Sequence, residues 1–186
     1  MIYHSVAEIF AANDDMRQRL IDCVEKLNPA QQNFRSTEGA WSIAEIVEHL
    51  SLIETQLYTL TKKLLAQAEA NSVEGVRPDL QNNPVSMGEY ATRAAQEKFQ
   101  APESVRPAGT LTIPESLAKM ERVRESLRQL QTRLEAADLS KATFPHPFFG
   151  SLNLYEWLAF IGVHEARHLR QIEAITTSPQ FKTINA

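Results

Sequence analysis

The chain has 186 residues, 43% hydrophobic and 23% charged, with a formal net charge of −4 and a pI near 5.8. These are ordinary values for a water-soluble globule, and they exclude the dense positive charge of a nucleic-acid-binding surface. The length predicts one domain, residues 1–186, with enough chain to bury its own core. The single cysteine, Cys23, precludes an intramolecular disulfide and fits a reducing compartment. No basic stretch followed by an apolar run opens the chain, and no window approaches about 18 uninterrupted apolar residues. Neither a signal peptide nor a membrane span is expected, and the default address is the cytoplasm.

The first periodic segment runs from His4 to Leu27, where Val6, Ile9, Phe10, Leu20, Val24 and Leu27 recur at helical spacing before Asn28-Pro29 ends it. The second begins at Ser42, which forms a Ser-x-x-Glu capping box with Glu45. Ile46, Leu50, Ile53, Leu57, Leu60 and Leu64 carry its apolar stripe towards Ala70, and Trp41 stands just before the cap, able to pack back on the first turns. Residues Asn71 to Leu111 break the pattern with Gly75, Pro78, Pro84, Gly88, Pro102, Pro107 and Gly109. A connection this long reads as a lid or binding loop, or as a partly disordered stretch. Within it a short helix is predicted from Ser86 to Phe99, because Ser86 and Glu89 repeat the capping-box spacing.

The third long helix starts near Pro114, a favoured first-turn proline, and Leu117, Met120, Val123, Leu127, Leu130 and Leu134 extend it to Ala137. Residues Phe144-Pro145-His146-Pro147-Phe148-Phe149-Gly150 form a rigid apolar turn. The fourth helix spans Asn153 to Thr176, with Asn153 as N-cap and Glu156 three residues on. No stretch shows sustained strand alternation. Four amphipathic helices predict an all-α four-helix bundle. The long connection between helices two and three is expected where two consecutive helices run in the same direction.

The chemistry concentrates on histidine. His164-Glu165-Ala166-Arg167-His168 puts two imidazoles four residues apart, one above the other on one helix face, with Glu165 beside them. His49 lies about two turns into the second helix, beside its apolar stripe. If the second and fourth helices are neighbours, three imidazoles converge, the arrangement that leaves a metal coordination position open for water or substrate. A hydrogen-bonded core role for each His is the competing reading, and His pairs at this spacing are weak signals by themselves.

Two segments resemble a known family. Trp41-Ser42-Ile43-Ala44-Glu45-Ile46-Val47-Glu48-His49-Leu50 is similar to an N-terminal motif of the DinB-like superfamily, and His164-Glu165-Ala166-Arg167-His168-Leu169-Arg170-Gln171-Ile172 resembles its closing helix. The approach His146-Pro147-Phe148-Phe149-Gly150 through Trp157-Leu158 is also similar, whereas residues 71–111 carry no resemblance. The resemblance implies a DinB/YfiT-like four-helix bundle holding one divalent ion, nickel or zinc and in some relatives iron, on His49, His164 and His168. It implies a small-molecule substrate, and homodimers are frequent among relatives. Some relatives join low-molecular-weight thiols such as bacillithiol or mycothiol to electrophiles, and others are regarded as metal-dependent hydrolases. A thiol S-transferase is therefore the leading expectation. Hydrolysis of a small ester or amide is the alternative within enzymes, and a non-catalytic metal- or ligand-binding stress module is the rival outside them. Three imidazoles suit nickel, zinc and iron alike.

The letters H-E-x-x-H also spell a zinc peptidase, with Glu165 as general base. The residues after His168 supply no third histidine and only Glu173, which is turned away from the metal face. Glu165 is accordingly a candidate catalytic residue, with a solvated or outer-sphere carboxylate as its bland reading. Glu48 reads as a solvent-face residue. His146 reads as a loop residue near the bundle end, or else as a proton shuttle near the metal. Gln171 reads as an orienting partner or a surface group, and Cys23 as a small buried hydrophobe. Arg35, Arg93 and Arg106 read as surface cations able to meet an anion, and His4 as a surface residue.

Overall fold

The computed structural model describes residues 1–72, 78–97 and 99–185. Gly75 and Lys98, which belong to the predicted connection and its short helix, lie outside that set.

The long helices start close to where the sequence places them. Ser5 accepts a hydrogen bond from the Glu8 backbone N–H (3.1 Å) and starts α1, Val6–Val24. A short α2, Pro29–Gln32, follows. The Ser42–Glu45 box closes in both directions, at 3.2 and 2.7 Å, and opens α3, Ile43–Ala70. The short helix of the connection, α4, runs Gly88–Gln96 and begins later than its sequence spacing predicts. Ser86 does not cap it: Val85–Ser86 is a strand, β2, paired antiparallel with β1, Ile2–Tyr3, and Ser86 sits opposite Ile2.

The third long helix is interrupted. It consists of α5, Ile113–Arg128, capped by a Thr112–Glu115 box, and α6, Gln131–Ala136. At the junction the Leu130 N–H donates to the Leu127 carbonyl (2.9 Å), a tightened three-residue turn in place of the α-helical pattern. The predicted apolar turn is a hairpin of β3, Thr143–His146, and β4, Gly150–Asn153. Gly150 closes it at φ +77°, a conformation that side chains with a Cβ rarely adopt. Asn153 then caps α7, Leu154–Thr176, in a reciprocal box with Glu156, and α8, Pro179–Lys182, follows.

The four long helices pack with α7 against α1 and α3, and α3 also against α5. Their directions follow from two buried apolar clusters. One gathers Val6, Ile9 and Phe10 from the start of α1, Leu57 to Ala68 from the end of α3, Val123 and Leu127 from the end of α5, and Leu154 to Val163 from the start of α7. The other gathers the opposite halves: Leu20 and Val24, Ile43 to Leu50, Ile113 and Met120, and Leu169 to Ile175. So α1 and α7 point one way and α3 and α5 the other, and the long connection joins two helices of the same direction, as expected.

Between the clusters lies a belt of buried charge, with one member from each long helix. Arg17 pairs with Glu54, and its Nε donates to Glu165 Oε1 at 2.6 Å. Arg124, 2% exposed, lies 3.9 Å from the other oxygen of Glu165.

Candidate metal centre

Three imidazoles meet where the first half of α3 faces the second half of α7. The ring centroids of His49 lie 5.3 Å from those of His164 and 5.0 Å from those of His168, and the two rings on α7 are 4.6 Å apart. Each residue offers one donor nitrogen, and these nitrogens lie within 4.8 Å of one another. With metal–nitrogen bonds of about 2.1 Å, small ring rotations bring such a set onto one cation.

The hydrogen bonds fix how the rings face. His49 Nδ1 lies 2.7 Å from the Val105 carbonyl oxygen. That oxygen can only accept, so Nδ1 carries the proton and Nε2 keeps a free lone pair. His168 Nδ1 sits 3.0 Å from Gln171 Oε1 and follows the same logic. A ligating imidazole characteristically has its other ring nitrogen held this way. Trp41 packs on His49 at 4.9 Å between centroids, so it does pack back on the first turns of α3.

Electrostatics keep the trio neutral. Burial pushes His168 down to about 3, and a charge on His49 would push in the same direction. Burial, with His168 and His49 as neighbours, holds His164 well below its ordinary value, and burial also lowers His49 against the opposing Val105 carbonyl. Neutral imidazoles at pH 7 are the form that a metal requires.

The trio opens into a cleft of about 570 Å³ whose walls are largely aromatic and aliphatic: Trp41, Ile53, Leu57, Leu60, Phe99, Phe148, Phe149, Trp157 and Phe160. The connection helps to cover it, through Phe99 to Pro102, Ser104 and Val105. A sequence profile of the DinB superfamily matches residues 12–172, a span that takes in all three histidines. The chain belongs to the DinB superfamily. YuaE of Bacillus subtilis is 27% identical over 150 residues, 80% of this chain and 85% of that protein. A protein of Oceanobacillus iheyensis named "putative metal-dependent hydrolase" is 24% identical over 155 residues, 83% of this chain and 76% of its own length. TT2238, a four-helix bundle protein of known structure, aligns with a TM-score of 0.60 at 25% identity, over 90% of this chain and 98% of its own. YfiT from Bacillus subtilis, a four-helix bundle of unusual topology, aligns at 0.51 and 16% identity, over 91% and 85%.

In this DinB superfamily chain several residues sit where spacing alone does not put them. Glu165, beside His164 in sequence, turns into the charge belt. It is 1% exposed, bonded to Arg17, and absent from the cleft lining, and burial raises its pKa. It is not solvated. Glu48 is not on a solvent face either. It is 2% exposed and accepts from the Gly109 N–H (2.8 Å) and the Thr110 hydroxyl (3.1 Å).

His146 lines the cleft among Phe149, Trp157 and Phe160 (4.7, 5.2 and 4.7 Å between centroids), and the Phe160 ring also touches His164. Its Nδ1 accepts from the Phe148 N–H (3.1 Å), which leaves Nε2–H as a donor, and burial lowers its pKa to about 4. Of the arginines singled out, Arg35 serves Glu45 and the Ala40 carbonyl, Arg93 serves Glu97, and Arg106 serves the Ala101 carbonyl. The arginine that does reach the cleft is Arg167, which sequence reasoning passed over. Its place between His164 and His168 was the available signal.

Proposed function

We propose that His49, His164 and His168 hold one divalent metal ion, and that the protein uses it to hydrolyse a small, largely apolar ester or amide. The observation that supports this best is the meeting of three neutral imidazoles, two of them oriented through Nδ1, at the wall of an apolar cleft. Bound there, a divalent ion supplies Lewis acidity, which activates a water or thiol nucleophile at neutral pH and polarises a carbonyl. The chain supplies the rest. The Val105 carbonyl and Gln171 keep the protons of His49 and His168 on Nδ1. The aromatic walls exclude water around an apolar substrate body, and the N–H at His146 Nε2 is available to a substrate oxygen. Zinc and nickel are the ions to load first and iron next, since three imidazoles accept each. The name of the Oceanobacillus iheyensis relative belongs to the same reaction class.

A second reading, transfer of a low-molecular-weight thiol to an electrophile, is favoured by a cleft with room for two small reactants. One assay separates the two. Metal-loaded protein is incubated with aryl esters and amides without thiol, and in parallel with an alkylating electrophile with and without cysteine. Metal-dependent product release without thiol is the expected result. Turnover only when thiol is present assigns the transferase. No turnover in either arm, with metal bound, contradicts an enzyme and leaves a binding module.

A further inference from the structure

Arg167 stands between His164 and His168 on α7 and lines the cleft half-buried. Its Nη1 donates to the Ala94 carbonyl (3.1 Å), and its guanidinium lies 5.5 Å from the centre of the Phe99 ring. Among the described residues no carboxylate pairs with it, whereas Arg17 and Arg124 both have acidic partners. Among the described residues that line the cleft there is no Asp or Glu. Among the described lining residues the other permanent cation is Lys63, which is exposed and lies over the Phe144 ring at 5.3 Å. A guanidinium with donors to spare, set in an apolar wall with no internal counter-charge, is an anion receptor by its chemistry.

The geometry points to a substrate class: a small amphiphilic anion, with an aryl-sized apolar body against the aromatic walls and a carboxylate on Arg167. This rests on the cleft being the substrate site of the proposed enzyme, and Arg167 is then a specificity-determining residue. The carboxylate is held by the arginine, so the group that reacts is a different part of the same molecule.

The test is calorimetric titration of the full chain, zinc-loaded and EDTA-treated, with phenylbutyrate and with its uncharged analogue phenylbutanol. In the EDTA-treated wild type the carboxylate binds roughly tenfold tighter than the alcohol, the size of one charge-assisted hydrogen-bonded contact. Arg167→Gln removes that preference and leaves alcohol binding unchanged. Arg167→Lys retains part of it, and Lys63→Gln retains all of it. Equal affinity for the two probes in the EDTA-treated wild type overturns the proposal without any variant, as does a preference that survives Arg167→Gln. A carboxylate preference seen only with zinc assigns the anion to the metal and rejects the arginine, while leaving the metal site intact. An Arg167-dependent preference in a protein that binds no metal upholds the anion site and rejects the metal reading.

Discussion

Gly162 of α7 faces α1: a Cβ there would run into the Asn13 side chain, itself 3% exposed and bonded through Nδ2 to the Leu158 carbonyl (3.0 Å). Gly162→Ala gains about 1 kcal/mol of helix propensity. It displaces a buried amide whose lost bond costs about 1–3 kcal/mol. A net loss of about 1 kcal/mol in urea denaturation is expected, and a stabilised variant would show that Asn13 moves freely. His146 carries a pH dependence. Its folded pKa, about 4, lies below the ordinary value of 6.5, so the unfolded chain takes up the proton first. The stability that His146 contributes is therefore whole above about pH 6.5 and falls as the pH drops from there towards 4. An NMR titration of the imidazole has its midpoint near 4, and a midpoint near 6.5 would contradict its burial. His164, His168 and the orienting Gln171 were legible in the sequence because each sits at helical spacing to a partner, and His49 because it stands beside the Ile46–Leu50–Ile53 stripe in a segment that resembles the family. Glu48 and Glu165 were not. Their partners, Gly109, Thr110 and Arg17, come from remote segments, and a carboxylate beside an apolar stripe looks the same whether it meets water or an arginine.

At the scale of elements, the helix starts were the most legible feature, because a capping box is a local device that needs only four residues. Ser42→Ala is expected to cost about 1 kcal/mol. Ser86–Glu89 shows the limit: the same spacing fails where β1 claims Ser86 for a strand pair. The break after Arg128 left no Gly or Pro, and the apolar spacing of Leu127, Leu130 and Leu134 runs through it undisturbed. Residues 99–110 of the connection join the site through two clasps, the Val105 carbonyl on His49 and Glu48 on Gly109 and Thr110. Glu48→Gln loosens the second clasp and, through it, the first. Metal affinity is expected to fall about tenfold with helix content unchanged by circular dichroism. Unchanged affinity would separate this segment from the site.

At the scale of the whole molecule, the bundle is two apolar clusters held in register by a charge belt that draws one residue from each long helix. Arg17 and Asn13 continue the stripe of α1, and Glu54 that of α3, which was the readable sign of polar residues facing inward. Arg17→Met strands the carboxylates of Glu54 and Glu165 in the interior and is expected to cost about 3–5 kcal/mol. The antiparallel crossing of α3 and α7 that aligns this belt also carries His49 to His164 and His168. The most direct test is the metal content of the purified full chain after zinc or nickel loading, beside His49→Ala, His168→Ala and Glu165→Gln. One ion per chain is expected in the parent and in Glu165→Gln, and none in the two histidine variants. Stoichiometric metal retained in both histidine variants, or no metal in the parent, would contradict a three-histidine centre.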